Sequence, residues 1–399
     1  MRRVDVAIAG GGPGGAAAAI ALARTGLRVR LVDAGRPRDD EHAYKVGEGL
    51  PPSARALLRA LGVLERTLAD GHRPSPGTLA YWGADTPHAE DHVRTLFGHG
   101  LQLDRHRFDA MLRDAAGAAG AEVHEGASVR LDARATAESP HRLRLRRTGA
   151  DDEVFEARWL IDATGRNATF ARAFGAHRLV HDRLFAFHQR LRRGAGRDGA
   201  DRSGDDLDGR TLVEAVEQGW WYSVRLPGDE RLIAFLCDPD ATARRALLED
   251  GGLWRALADA PRLHALCEAH GWRPQGRAHG AEAGDSELDH AAGHRWLAVG
   301  DAALAFDPLS SKGMSNALYT GLRAAETILR GDRSDPAALA DYAQHLREIH
   351  AVHRAQSRAF YAMERRWPVS PFWRRRAVPA PLRHRHSPFA STPPQGDTA

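Results

Sequence analysis

The stretch Val4-Asp5-Val6-Ala7-Ile8-Ala9-Gly10-Gly11-Gly12-Pro13-Gly14-Gly15-Ala16-Ala17 decides the fold. A short apolar run breaks into glycines and resumes as alanines, the pattern of a buried strand turning tightly into a helix. Within it, Gly10-x-Gly12-x-x-Gly15 gives each glycine a separate task. Gly10 permits the turn, Gly12 lets backbone N–H groups approach a pyrophosphate, and Gly15 lets helix and strand pack closely. Pro13 and Gly14 open the helix, whose N-terminus carries partial positive charge toward phosphate oxygens. Arg28 to Asp33 reads as a second strand. It ends about twenty residues on in a carboxylate placed to bond a ribose hydroxyl, with Ala34 beside it. The motif predicts a βαβ opening and a dinucleotide, and does not by itself separate FAD from NAD.

The rest of the chain bounds what such a domain serves. Its 399 residues suffice for one large or two medium domains. A net charge of +4 is small for that length, and the basic character comes from arginine, so no nucleic-acid surface is expected. No apolar run approaches the roughly 20 residues that span a bilayer. Arg2 and Arg3 before an alanine-rich stretch imitate an export signal, but the interrupting glycines favour a strand and phosphate turn. Two cysteines, Cys237 and Cys267, show no metal or CxxC spacing and suit a reducing cytoplasm. Histidines at 290, 294, 345, 350 and 353 have helical spacings, yet no acidic or cysteine partner completes a site, so no metal is expected.

Along the chain, Asp104 is placed to cap a helix running to Ala118 with Phe108, Met111, Leu112 and Ala115 on one face. Alternating runs at Glu122–Leu131, Arg142–Arg147 and Val154–Ile161 predict a small antiparallel sheet. Gly194–Gly209 reads as a surface loop. Strands follow at Thr211–Glu217, Trp220–Leu226 and Arg231–Cys237, with a hairpin turn at Pro227-Gly228-Asp229. A helix is predicted at Ser315–Leu329, and one or two long helices at Pro336–Met363.

A second glycine-rich segment identifies the dinucleotide. Trp296-Leu-Ala-Val-Gly300-Asp301-Ala-Ala places a strand, a glycine turn and an aspartate late in the chain. It leads into Asp307-Pro308-Leu-Ser-Ser-Lys312-Gly313-Met314 at the start of a helix. This pairing of segments resembles the superfamily of FAD-dependent monooxygenases and flavin-dependent halogenases, over most of residues 1 to 330. The resemblance implies FAD, with Asp301 on its ribityl chain. Pro308, Gly313 and Met314 then lie beside the flavin, where a helix N-terminus stabilises negative charge. Lys45-Val-Gly-Glu48-Gly-Leu-Pro51 is similar to the family's Gly-Glu loop near the ring, with Gly49 replacing the usual serine. Asp104-Arg105-x-x-Phe108-Asp109 is similar to the helix start at which an arginine approaches the cofactor. Asp162-Ala-Thr-Gly165-Arg166 departs from the Asp-Gly of hydroxylases that use bound NADPH. Reduction by NAD(P)H or by a separate flavin reductase is left open.

Halogenases of this superfamily carry a Gly-Trp-x-Trp-x-Ile-Pro segment and a lysine downstream of the Gly-Glu loop. Here Gly219-Trp220-Trp221-Tyr222-Ser-Val-Arg-Leu-Pro227 keeps only the first Gly-Trp, and Gly77–Gly83 contains no lysine. The chain has only two lysines, Lys45 and Lys312, both in the segments that resemble flavin loops. Gly77-x-x-Ala-x-Trp82-Gly83, Asp307–Gly313 and Tyr361-Ala-Met-Glu364-Arg-Arg-Trp367…Phe372-Trp373 further resemble the LodB/GoxB-like maturase flavoproteins, which build cysteine tryptophylquinone in partner oxidases. Lys312 replaces the glutamine of that family's loop.

The resemblance implies an α/β fold of the p-hydroxybenzoate hydroxylase type. A Rossmann-type FAD-binding domain (residues 1–75, 100–178 and 280–330) would carry an inserted antiparallel β-sheet substrate domain (76–99 and 179–279). C-terminal helices (331–376) and a disordered tail (377–399) would follow. The implied reaction is hydroxylation of an electron-rich aromatic ring through a flavin C4a-hydroperoxide, the ring being a tryptophan of a partner protein. Halogenation, or a non-catalytic maturation chaperone, are the alternatives. Lys45, Glu48 and Lys312 are the candidate polar groups near the flavin. Trp220, Trp221 and Tyr222 are the candidates for the substrate side.

Overall fold

Five short strands in parallel register form the first layer. The computed structural model describes residues 1–35, 45–92, 97–193, 206–238, 241–332 and 335–377. In it Arg2–Ala9 lies between Glu153–Asp162 and Val29–Asp33, with Trp296–Ala298 and Glu122–Glu125 outside them. Strands buried on both faces read as continuous apolar runs, as Val6 to Ala9 and Leu160 to Ile161 do. The run expected as one antiparallel strand at Glu122–Leu131 is in fact two. Gly126, at φ +64°, breaks it into Glu122–Glu125, parallel to Val29–Asp33, and Ala127–Ala133, antiparallel to His141–Arg147.

The helix after the first glycine turn, Pro13–Ala23, is apolar all round, and Ala16 to Ile20 and Leu22 are fully buried. It is enclosed by the sheet and by the helices Arg105–Ala118 and Gly313–Asp332. Gly321 explains how closely the last of these approaches. A Cβ there would stand 2.3 Å from the carbonyl oxygen of Gly14. The two helices therefore meet backbone to backbone, which brings the chain's two glycine-rich segments side by side.

The second layer is a seven-stranded sheet. Its strands run in the order Trp272–Glu282, Phe185–Arg193, Glu230–Cys237, Gly219–Leu226, Thr211–Val216, Gly77–Tyr81 and His88–Asp91. All neighbours are antiparallel except Thr211–Val216 and Gly77–Tyr81. One face is packed by Phe187, Trp221, Phe235 and Trp272 against the helices Gly252–Ala256 and Pro261–Ala269. The loop expected at the surface over Gly194–Gly209 lies outside the described residues as far as 205; Leu207 and Asp208 are exposed, and Asp206 turns inward. Asp206 is 1% exposed and pairs with buried Arg231 while accepting a hydrogen bond from Trp272 Nε1 at 3.1 Å.

Ala338–Tyr361 forms one helix of 24 residues, followed by the short helix Pro371–Arg376. Phe360, Tyr361, Phe372 and Trp373 are buried with Trp82 and Trp220 in one aromatic cluster on the second sheet. Trp82 Nε1 donates to the Phe360 carbonyl at 3.0 Å, and Gly83 N donates to Glu364 Oε2 at 2.7 Å. Two of the segments that resemble the maturases, Gly77–Gly83 and Tyr361–Trp373, thus bind each other although far apart along the chain. The tail from residue 378 onward lies outside the described residues. Among the described residues no helix is long and apolar enough to cross a membrane.

Candidate functional site

A cavity of about 720 Å³ separates the two layers. Its dinucleotide side begins at the first turn of the Pro13–Ala23 helix, where Gly12, Pro13, Gly14 and Gly15 line it. Gly10, at φ +107°, lies beneath this lining, and a Cβ there would stand 2.1 Å from the carbonyl oxygen of Ala163. Gly15 is equally tight, with the Gly10 carbonyl 1.9 Å from its would-be Cβ. Gly12 is the opposite case: among the described residues a Cβ there meets nothing within 4 Å. Backbone compactness thus demands Gly10 and Gly15, whereas Gly12 keeps space open at a helix N-terminus that no side chain caps. That is the shape a pyrophosphate needs. Asp33 and Ala34 do not line this cavity. Asp33 Oδ1 accepts from Gly11 N at 3.0 Å, and Arg113 Nη1 stands 3.7 Å from its other oxygen, so the carboxylate braces the glycine turn.

The second glycine segment forms the neighbouring wall. Gly300, at φ +56°, donates its N–H to Thr320 Oγ1 at 2.8 Å, which ties the turn to the Gly313–Asp332 helix. Asp301 lines the cavity, its carboxylate 3.7 Å from Arg166 Nε. Pro308, Lys312, Gly313 and Met314 line it too. Ser311, at φ +51°, is a non-glycine residue in the left-handed region, and it turns the chain so that the helix N-terminus faces the cavity. Lys312 Nζ donates to Gln356 Oε1 at 3.2 Å, and burial pushes its ammonium below the ordinary lysine value.

The third wall is the Lys45–Gly49 loop. Lys45, half exposed, and Arg105 both line the cavity, and both are held by one carboxylate, Asp109. Lys45 Nζ lies 2.8 Å from Asp109 Oδ2, and Arg105 lies 3.3 Å from Oδ1 while also donating to the Val46 and Gly47 carbonyls. Burial pushes the Asp109 carboxyl up, but Arg105 and Lys45 outweigh it and hold it below the usual range. Glu48 is buried, with the Tyr222 hydroxyl 3.5 Å from Oε2.

Opposite stands one face of the second sheet. Side chains alternate along a strand, so Trp220, Tyr222 and Val224 face the cavity and Trp221 cannot. Trp221 stacks on Phe235 in the core behind the sheet, at 4.7 Å between ring centroids. Its expected place on the substrate side is corrected accordingly. Several lining groups carry no local signature in the sequence. His188 and His279 stack across two strands, and burial with that neighbour pushes His188 down to about 4. Asp307 is buried at the cavity wall, where burial pushes its carboxyl up to about 6 against hydrogen bonds from Leu309 N–H and the Tyr361 hydroxyl. Asp162, by contrast, is spent on structure, accepting from Thr164, Phe170 and Ala171.

The donor set fits FAD. An uncapped helix end beside an open glycine, a carboxylate at Asp301 and a second helix N-terminus at Gly313 lie along one cavity.

Comparison with known proteins agrees. Residues 3–190 match the FAD binding domain family. The chain is 26% identical over 397 residues to the FAD-dependent oxidoreductase LodB of Marinomonas mediterranea, covering 96% of this chain and all of that one. Among solved structures, the flavin-dependent halogenase CmlS superposes with a TM-score of 0.81 at 27% identity, over 96% of this chain and 68% of that one. The peptidyl tryptophan dihydroxylase QhpG, essential for tryptophylquinone cofactor biogenesis, superposes at 0.71 and 25% identity, over 96% and 81%.

Proposed function

We propose that this chain, whose residues 3–190 match the FAD binding domain family and which is similar to LodB and to the halogenase CmlS, is a flavin-dependent oxidoreductase that hydroxylates an electron-rich aromatic ring, the indole of a tryptophan in a partner protein. One observation carries the choice of oxygen over halide. The strand Gly77–Tyr81 presents Thr78 to the cavity and no amine, and the chain's two lysines stand elsewhere in the cavity wall, held by Asp109 and Gln356. The likeness to the peptidyl tryptophan dihydroxylase QhpG supports a protein-borne tryptophan as the substrate.

FAD, when bound and reduced, supplies the activation of oxygen. The protein supplies the rest. Gly12 to Gly15 and the helix N-terminus behind them hold the phosphates. The Gly313 helix N-terminus and Lys312 place positive potential on one side of the cavity. Trp220, Tyr222 and Val224 form an apolar wall that excludes water and orients a flat ring. Asp307, with a carboxyl raised to about 6, is the buried acid able to hold or release a proton near neutral pH. The departure at Asp162–Arg166 from the NADPH-using pattern favours reduction by a separate flavin reductase.

The test is purified, FAD-loaded protein with a flavin reductase, NADH and oxygen, given a quinone-cofactor oxidase subunit still carrying its unmodified tryptophan. Peptide mass spectrometry should find oxygen added to one tryptophan. A bromine-containing product when bromide is supplied would establish the halogenase reading instead. An unchanged partner, with FAD fully bound and reduced, would refute both.

A further inference from the structure

Behind Phe306, whose ring lines the cavity and lies 4.0 Å from that of His353, a second polar centre joins three elements. His181 follows the strand Arg178–Val180, Glu287 lies in the strand Ser286–Leu288, and His350 lies on the helix Ala338–Tyr361. Their ligand atoms all fall within 4.8 Å of one another. Glu287 sits between the two rings. Its Oε1 is 2.9 Å from His181 Nε2, and its Oε2 is 3.1 Å from His350 Nδ1. The His350 side chain is 3% exposed. No sequence spacing foreshadows the group, because its members lie on separate elements.

The far side of His350 narrows the reading. Its Nε2 lies 2.8 Å from Asp285 Oδ1. A neutral imidazole has one proton, and a carboxylate faces each of its nitrogens. In a metal-bound form the outer N–H of His350 would stay on Asp285 and the inner Nδ1, 3.1 Å from Glu287, would offer its lone pair to a cation shared with that carboxylate. A carboxylate bonded to the outer nitrogen of a histidine ligand is also the usual way such a ring is oriented on a metal. The spacing agrees. Two ligands of a tetrahedral zinc ion with bonds of about 2.1 Å stand roughly 3.4 Å apart; each ring nitrogen lies near that spacing from one Glu287 oxygen, and the three ligand atoms lie within 4.8 Å of one another.

We propose that His181 Nε2, His350 Nδ1 and the Glu287 carboxylate bind one divalent transition-metal ion of the zinc type, with Asp285 orienting His350. Two imidazoles and one carboxylate are a borderline donor set that suits zinc over magnesium or calcium. The ion ties the long helix to the Ser286–Leu288 strand directly behind the cavity wall.

The test uses the full-length FAD-loaded protein stripped with a chelator and titrated with zinc chloride by calorimetry, with bound metal counted by mass spectrometry. The wild type should take up one equivalent saturably. His181→Ala, at the edge of the centre, should lose that equivalent, and Asp285→Asn should weaken it about 10- to 100-fold. His345→Ala, on the same helix but bonded to Tyr319, should bind as the wild type does. Cobalt(II) in place of zinc should give tetrahedral absorption at wavelengths beyond the flavin band, in the wild type and not in Glu287→Gln. Full flavin absorbance in each variant shows that it has folded. No saturable uptake by the wild type, or undiminished one-to-one uptake by folded His181→Ala and Glu287→Gln, would overturn the proposal.

Discussion

The hydroxyl of Tyr361 donates to Asp307 Oδ2 at 2.9 Å and accepts from Trp220 Nε1 at 3.0 Å. One phenol thereby links the aromatic wall of the cavity to its buried acid. Burial pushes the Tyr361 phenol well above the ordinary tyrosine range, so it stays a donor at every working pH.

This linkage sets a pH dependence. Asp307 holds its proton up to about 6 in the folded protein, against 3.8 for an ordinary aspartate. Folding therefore favours the protonated form, and the stabilisation is complete below about pH 4 and is lost as pH rises through 6. The difference is about 3 kcal/mol. Denaturant melts at pH 4 and pH 7 should show a smaller loss of stability with rising pH in Asp307→Asn than in the wild type. Tyr361→Phe removes a donor that favours the charged form and should move the transition to higher pH.

Gly12 and Gly15 predict opposite failures. Gly12→Val adds bulk only to open cavity space, so the variant should fold, melt near the apoprotein's temperature and elute colourless. Gly15→Ala drives a methyl into the Gly10 carbonyl and should lose several kcal/mol of stability. A yellow, FAD-saturated Gly12→Val protein would argue against the phosphate site.

Adjacent tryptophans should separate stability from turnover. Trp221→Ala empties the core behind the sheet and should cost about 3–5 kcal/mol, with FAD content intact in the folded fraction. Among the described residues Trp221 Nε1 has no hydrogen-bond partner, so Trp221→Phe should cost much less. Trp220→Phe removes the N–H that meets Tyr361 and changes the cavity wall, so it should lower kcat more than it lowers the melting temperature.

The buried pair Asp206–Arg231 gives a fourth expectation. Arg231 also donates to Ser223 Oγ at 2.8 Å, and both members of the pair are 1% exposed. Asp206→Ala leaves a buried guanidinium uncompensated and should cost about 3–5 kcal/mol. Replacing both partners with apolar residues should recover most of that, measured by chemical denaturation.

Elements governed by local chemistry were legible in the sequence. The first glycine turn, the Asp104 cap, which accepts from Arg107 N at 3.0 Å, and the hairpin at Gly228 each follow from a few consecutive residues. The Trp220–Tyr222 run carries its answer as well, since strand periodicity turns Trp220 and Tyr222 to the cavity and Trp221 to the core behind the sheet. The break at Gly126 was visible only as a glycine, because strand direction is set by what lies alongside. Asp307 with Tyr361, Asp109 between Lys45 and Arg105, and the His181–Glu287–His350 group had no local signature. Each exists because distant elements pack together, and burial that creates an unusual proton affinity is a property of the packing alone.

The aromatic cluster has a consequence in the order of synthesis. The parallel sheet needs nothing beyond Ala298, yet the cavity-wall residue Trp220 is backed by Phe360, Tyr361, Phe372 and Trp373. While the chain emerges from the ribosome, the dinucleotide layer can assemble long before those rings exist. Trp82, Trp220 and the Asp307 carboxyl stay uncovered during that interval. A nascent chain halted before residue 360 would lack the rings that back Trp220 and the hydroxyl that bonds Asp307, so the late residues complete the support of the cavity wall.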